Sequence, residues 1–354
     1  MRSKAAFAVL SGAFLFNGGV LPAFEGARVT PVAIYGEDDR REAVDSTELR
    51  RALSDSVPAI VRGDSLSWDK KTDYYEIKLP MRLEDSFVLA PGQKFAGQIT
   101  MANASGALVG DDLLITSGHL FKPGRFDCAG DKVVFGYSMG PGSGAAPLRF
   151  PARDVYSCKK VIFFRIGSKK QADFAVIRLD RKVAGRTPLA INRAGGLKAG
   201  TEVFIAGYPL GLPAKVAGNA KVREAPADAP FFVMNADAFQ GNSGGPVFNA
   251  ATMRIEGIVS GGAEDIVFTP SGGVYAVYPQ DGGDGEYATK ISEAKELLPV
   301  TKLERYLDFR EQTIDRQRSA GRPEPAVIFP GSGGAMVQPA VYYPEPKPAA
   351  VPIR

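Results

Sequence analysis

The 354-residue chain is poor in the side chains that usually carry metals and base chemistry: it has one histidine, two cysteines and one tryptophan. Two cysteines and one histidine cannot assemble the four-ligand N/S shell of a structural zinc site, so no metal and no cofactor is expected. Charge of one sign is not in excess. Lys plus Arg number 43 against 39 Asp plus Glu, a net +4, and no basic stripe carries interleaved aromatics, which excludes a nucleic-acid partner. No continuous apolar run reaches the ~20 residues that a spanning helix needs, so stable membrane insertion is excluded as well. Internal repeats are absent. What remains is an ordinary globular composition, 45% hydrophobic and 23% charged, long enough for one large domain or two small ones.

The scarcity gives the few residues present more weight. Any imidazole chemistry must run through His119. An even pair of cysteines, Cys128 and Cys158, is expected to form a disulfide if the chain is exported. Export is indicated at the start of the chain. Arg2 and Lys4 precede an apolar run from Ala5 to Phe16 and a small-residue exit at Gly18-Gly19-Val20-Leu21-Pro22-Ala23, the layout of a signal peptide over residues 1–23. A periplasmic or extracellular location follows.

Residues 24–60 read as an N-terminal extension, a propeptide or a first strand, with a short helix from Ser46 to Leu53 capped by Ser46. From Tyr74 to Val277 short β-rich runs alternate with Gly, Pro and Asp. Strands are expected at Ser56–Arg62, Val133–Tyr137, Val161–Arg165, Phe174–Leu179, Glu202–Ala206, Phe231–Met234, Ile255–Ser260 and Gly273–Tyr278, with a hairpin around Gly110-Asp111-Asp112. Many short strands point to an all-β barrel or sandwich rather than a βαβ sheet. Ile291, Ala294, Leu297, Leu298, Leu303 and Leu307 fit a C-terminal helix interrupted at Pro299. Residues 311–354 are rich in Pro, Gly and Ala and are expected to be a disordered tail.

Three local contexts carry chemistry. Gly241-Asn242-Ser243-Gly244-Gly245-Pro246 places a serine in a glycine-bracketed turn that can aim the N–H groups of Gly241 and Ser243 at one point, an oxyanion hole. A serine hydroxyl needs a base, and imidazole is the usual one near neutral pH; Thr116-Ser117-Gly118-His119 supplies it. Asp173 opens the apolar run Phe174-Ala175-Val176-Ile177, where a carboxylate can orient the imidazole. Each has an ordinary alternative: a surface Gly turn, a structural histidine, a strand-edge aspartate. Together, and in the order His, Asp, Ser, the three motifs resemble those of chymotrypsin-fold, trypsin-like serine proteases, nearest to bacterial exported members of the glutamyl-endopeptidase-like group.

The resemblance covers roughly residues 29–309. It implies two six-stranded antiparallel β-barrels with a C-terminal helix, a protease domain over residues 61–310, and acyl-enzyme hydrolysis of polypeptides by a monomer, with His119, Asp173 and Ser243 as triad. It implies further that Asp237, six residues before Ser243, floors the pocket for a basic side chain, and that Ser260, Gly261 and Gly262 pair with the substrate backbone. Ser260 is also a candidate to hydrogen-bond Asp173. Asn242 stands where digestive members have Asp, and the chain lacks their Ile-Val-Gly-Gly start, so activation by a new N-terminus is not expected. The rival reading is a catalytically silent homologue that binds peptides or partners. An α/β-hydrolase would need a histidine after the serine, and none follows Ser243.

Overall fold

Phe174–Leu179 buries every side chain except Arg178, as a strand in the middle of a curved sheet must. A computed structural model describes residues 33–87, 89, 92–142, 144–168, 170–262, 267–268, 275–276, 278–279 and 285–319. Phe174–Leu179 pairs on one side with Leu113–Thr116 and on the other with Val155–Arg165. Beyond these lie Lys132–Val134, Ala59–Val61 and Ala104–Ser105, while Ala107–Leu108 follows Leu113–Thr116. The ends of this sheet, Ala104–Ser105 and Ala107–Leu108, are consecutive in the chain, so the sheet curls into a nearly closed barrel. The expected hairpin at Gly110–Asp112 is present, with Leu114 opposite Leu108. Ile60, Leu108, Leu114, Val133, Phe135 and Ile177 fill the interior, and Cys158, bonded to Cys128, packs against them.

A second barrel runs Glu202–Gly207, Pro246–Asn249, Ile255–Gly261, Glu286–Lys290, Phe231–Met234 and Lys215–Glu224, and closes by pairing the last strand back onto the first. Its core is Val203, Ile205, Val222, Phe232, Met234, Val247 and Val259. Every neighbouring pair within the two barrels is antiparallel. The all-β architecture expected from the turn-rich pattern is therefore the one formed, and pairing of the sixth strand back onto the first closes the second barrel.

Several boundaries move. Thr47, not Ser46, caps the first helix, Glu48–Ser54. Lys215–Glu224 was not anticipated, because Gly218-Asn219 breaks its pattern; pairing on both flanks overrides that local weakness. The segment from 290 forms two short 3-10 turns, Ile291–Glu293 and Lys295–Leu297, before the helix Lys302–Ser319 begins beyond Pro299. Thr301 accepts the Glu304 N–H at 3.0 Å, one half of the capping arrangement that a Thr-x-x-Glu run encodes. Residues 311–319, expected in the disordered tail, are the last turns of this helix. Leu303 and Leu307 dock it on the barrel core, and Arg254 pairs with Asp308 at 2.7 Å. Of the segment read as extension or propeptide, Arg41–Glu42 adds to the second barrel and Ala59–Val61 is a strand of the first. The expected signal peptide and the residues beyond 319 lie outside the described residues. No helix among the described residues is long and apolar enough to cross a membrane.

Candidate active site

Leu113–Thr116 and Phe174–Leu179 run antiparallel with Thr116 opposite Ala175. The end of one strand therefore meets the start of the other. Ser117 and His119 follow the first strand, and Asp173 precedes the second, so the register alone brings the imidazole and the carboxylate to one mouth of the first barrel. His119 Nδ1 lies 2.6 Å from Asp173 Oδ2. Asp173 is 1% exposed, and its second oxygen accepts the Gly167 N–H at 3.0 Å. Gly118 cannot be larger: a Cβ there would sit 1.9 Å from Arg165 O. With Asp173 holding the proton on Nδ1, the opposite ring nitrogen is left as the acceptor.

Ser243 comes from the second barrel, on the turn that leads into Pro246–Asn249. Its glycines are required by sterics. Gly241 has φ +99°, and a Cβ on it would meet Tyr208 O at 2.2 Å. Gly244 has φ +85°, and its Cβ would meet Thr116 Oγ1 at 2.0 Å and Ser105 O at 2.2 Å. That close approach packs the residue after Ser243 onto the two residues before Gly118-His119. In the same turn Asn242 donates to Phe239 O and Gly245 to Asn242 O, both at 2.8 Å, while Gly244 donates to Val259 O at 2.9 Å. The N–H groups of Gly241 and Ser243 have no acceptor among the described residues. A pair of free backbone donors flanking a half-buried serine is suited to hold a developing oxyanion.

Hydrogen bonds across the barrels hold these pieces in place, and the residues that make them were not apparent in the sequence. Ser105, fully buried, donates its N–H to Ser243 O at 2.9 Å and its hydroxyl to Gly241 O at 2.7 Å. It accepts the Tyr208 N–H at 3.0 Å and, through its carbonyl, the Thr116 hydroxyl at 2.7 Å. Ser117 donates to Val259 O at 2.6 Å. The Ser260 hydroxyl, a candidate partner of Asp173, donates instead to Tyr287 O at 3.3 Å. Thr289 takes the place beside Asp173: its Oγ1 accepts the Asp173 N–H at 2.9 Å and lies 3.2 Å from Asp173 O. Thr289 lies on Glu286–Lys290, where four consecutive residues are buried, so no alternation in the sequence marks it.

Asp237 is 3% exposed, but it does not face His119 or Ser243 through any of its bonds. Its two oxygens accept the backbone N–H of Tyr35 at 2.9 Å and of Asp39 at 3.0 Å. Burial, followed by the neighbouring Asp39 carboxylate, pushes its carboxyl up to about 7 against the pull of those two N–H donors. Burial also raises the Tyr35 hydroxyl well above its usual range, reinforced by Glu286, to which it donates at 3.2 Å. Gly261 is opposite Tyr287, so the segment Ser260–Gly261 remains a strand of the second barrel up to Gly262. Among the described residues no group of three or more His, Cys, Asp or Glu is placed to hold a metal ion.

The chain is similar to known proteins. Residues 104–258 match the family model described as a trypsin-like peptidase domain. A curated relative, the "Probable periplasmic serine endoprotease DegP-like" of Ectopseudomonas mendocina (strain ymp), is 33% identical over 113 residues, covering 30% of this chain and 22% of that protein's length. Among solved structures, the active form of the Rv3671c protease from M. tuberculosis is similar at 18% identity over 78% of this chain and 92% of that one, with a TM-score of 0.41. A Glu endopeptidase in complex with MPD is similar at 16% identity over 79% of this chain and 99% of that one, with a TM-score of 0.43. The residues that match the trypsin-like peptidase domain include His119, Asp173 and Ser243, and they lie across the two antiparallel barrels, one closed by six strands and one nearly closed.

Proposed function

We propose that the protein is an exported serine endopeptidase that cleaves polypeptides through an acyl-enzyme. Ser243 is the nucleophile, His119 the general base and Asp173 the group that orients and supports the imidazole. The observation that carries this reading is the 2.6 Å contact between His119 Nδ1 and Asp173 Oδ2, together with the unused N–H groups of Gly241 and Ser243 on the adjoining turn.

The sequence of events follows from these positions. The imidazole nitrogen facing away from Asp173 takes the Ser243 hydroxyl proton as Oγ attacks the scissile carbonyl. The carbonyl oxygen becomes an oxyanion and accepts from Gly241 N–H and Ser243 N–H, donors already fixed by their glycine turn, so little reorganisation is needed as charge develops. The imidazolium then gives its proton to the leaving amine, and water reverses the steps to release the acyl group. Asp173, buried and bonded to Gly167, stabilises the transient imidazolium. The strand end Ser260-Gly261-Gly262 presents the backbone to which an extended substrate would add. Asp237 is given no role in selecting a basic substrate side chain, because the partners of its two oxygens are the Tyr35 and Asp39 N–H groups of the N-terminal segment. Export is supported by the Arg2/Lys4 leader pattern and the Cys128–Cys158 bond, which persists in an oxidising compartment.

A fluorophosphonate probe tests the reading. Purified protein should label, and Ser243→Ala should not. Equal labelling of both would place the reactive group elsewhere. Absence of labelling in the wild type would favour the silent, peptide-binding homologue.

A further inference from the structure

The turn that presents Gly241 and Ser243 is gripped, two and four residues upstream, by a segment from the other end of the chain. Asp237 accepts the Tyr35 and Asp39 N–H groups. Phe239, 3% exposed, lies under the Arg40 guanidinium at 4.1 Å from the ring centroid. Phe239 O in turn accepts the Asn242 N–H that closes the turn. Residues 35–42 thus hold alternate positions, Asp237 and Phe239, of the segment that leads into the turn with the free N–H pair.

That segment is itself firmly placed. Arg40 is 4% exposed, and Asp38 pairs with its guanidinium at 2.7 Å and 2.9 Å. A desolvated guanidinium held between a carboxylate and an aromatic face is a strong contact. Asp39 also accepts the N–H groups of Gly218 and Asn219 at 3.0 and 2.6 Å. Arg41–Glu42 pairs with Lys215–Val216, and Glu42 meets the buried Lys215 ammonium at 2.9 Å. The segment is an outer strand plus a clamp, not a loosely applied leader.

From this geometry we infer that residues 35–42 are the positioning strap of the oxyanion turn, with Arg40 and Asp237 as its two fasteners. The inference rests on the peptidase reading for its effect on rate, but the strap itself is a physical claim about the turn. Two consequences follow. Processing of the N-terminus stops before Tyr35 in the active form, and a cut between Tyr35 and Glu42 switches activity off without touching the triad.

The test uses the full chain with Arg40→Ala, Arg40→Lys and Asp237→Ala, beside Arg254→Ala, which removes the ion pairs to Asp308 and Glu311 of the C-terminal helix and does not touch the strap. Hydrogen–deuterium exchange over residues 237–243 should rise in Arg40→Ala and Asp237→Ala, stay low in Arg254→Ala, and return towards wild type in Arg40→Lys. In peptide hydrolysis the first two should lose about tenfold or more in kcat with KM little changed, as for a weakened oxyanion donor, while Arg254→Ala keeps its kcat despite a lower Tm. Unchanged exchange in Arg40→Ala overturns the strap, whatever the activity. A kcat loss in Arg254→Ala as large as in Arg40→Ala also overturns it, since general destabilisation then explains both. An unlabelled, inactive wild type with the expected exchange pattern would instead refute the peptidase reading and leave the strap standing.

Discussion

The two barrels contribute to the site in different currencies of structure. The first supplies side chains: an imidazole and a carboxylate, oriented by one 2.6 Å contact and carried on adjacent strands. The second supplies backbone: a turn in which Gly241 and Gly244 stand at positive φ and the N–H groups of Gly241 and Ser243 have no acceptor among the described residues. The first is nearly closed and carries the disulfide, whereas the second is closed by hydrogen bonds and strapped by residues 35–42. A side-chain pair can be positioned by strand register. A backbone donor pair can be positioned only by fixing the turn on all sides, which explains why the second barrel draws on Ser105, Tyr208, Val259 and the N-terminal segment to do it.

This difference predicts unequal responses to substitution. Asp173→Asn should leave the fold intact and lower kcat by about four orders of magnitude, because the amide favours the wrong imidazole tautomer; a loss below tenfold in a folded variant would remove Asp173 from the triad. Gly244→Ala should affect stability and activity together. Its methyl would collide with Thr116 Oγ1 and Ser105 O at a φ that Ala tolerates poorly, so a cost of about 2 kcal/mol or more is expected, read as a lower Tm with weaker probe labelling. A stable and fully labelling Gly244→Ala would break the claim that the joint between barrels is steric.

Opening the disulfide should cost about 3.6 kcal/mol, the loop-entropy value for a closure of this size, since Cys128 and Cys158 are separated by 30 residues. Because the bond packs against the first-barrel core, the Cys128→Ala/Cys158→Ala variant should lose Tm yet still label at temperatures well below it. Loss of labelling in the folded variant would show that the bridge orders the site as well as the barrel.

The smallest effect concerns pH. Asp237 is raised to about 7 by burial from an ordinary carboxylate value near ~4. The folded state therefore holds that proton more tightly than the unfolded chain. Its contribution to stability is fully present below about pH 4 and is lost as pH rises through about 7. Asp237→Asn should flatten the Tm profile across that window, at about 2–4 °C for each kcal/mol removed. An identical slope in variant and wild type would mean that the carboxyl is not raised.

Much of this molecule was legible from local patterns. Phe231–Met234 and Phe174–Leu179 form strands with the expected bounds, since runs of β-branched and aromatic residues between turn formers leave little choice. Thr116-Ser117-Gly118-His119 and Gly241 to Pro246 stood out because the steric demands of their turns are met within a few residues. Lys215–Glu224 was missed because its stability comes from strands on both flanks rather than from its own residues. Ser105 and Thr289 were missed because their partners are 136 and 116 residues away, and a buried serine or threonine looks like any other in sequence.

By itself the sequence determined the types of chemistry available: one imidazole, a serine in the run Gly241-Asn242-Ser243-Gly244-Gly245-Pro246, one cysteine pair, and too few soft ligands for structural zinc. It also determined an all-β architecture of short strands, barrel or sandwich, because period and turn chemistry act locally; closure into barrels was decided by the strand pairing. The tertiary structure decided which carboxylates serve the site. Asp173 reaches His119 because two strands meet in register, while Asp237 is drawn to the N–H groups of Tyr35 and Asp39, 202 and 198 residues away. Both are buried aspartates, and only long-range packing, which local sequence does not encode, separates the carboxylate that orients an imidazole from the one that fastens a strap.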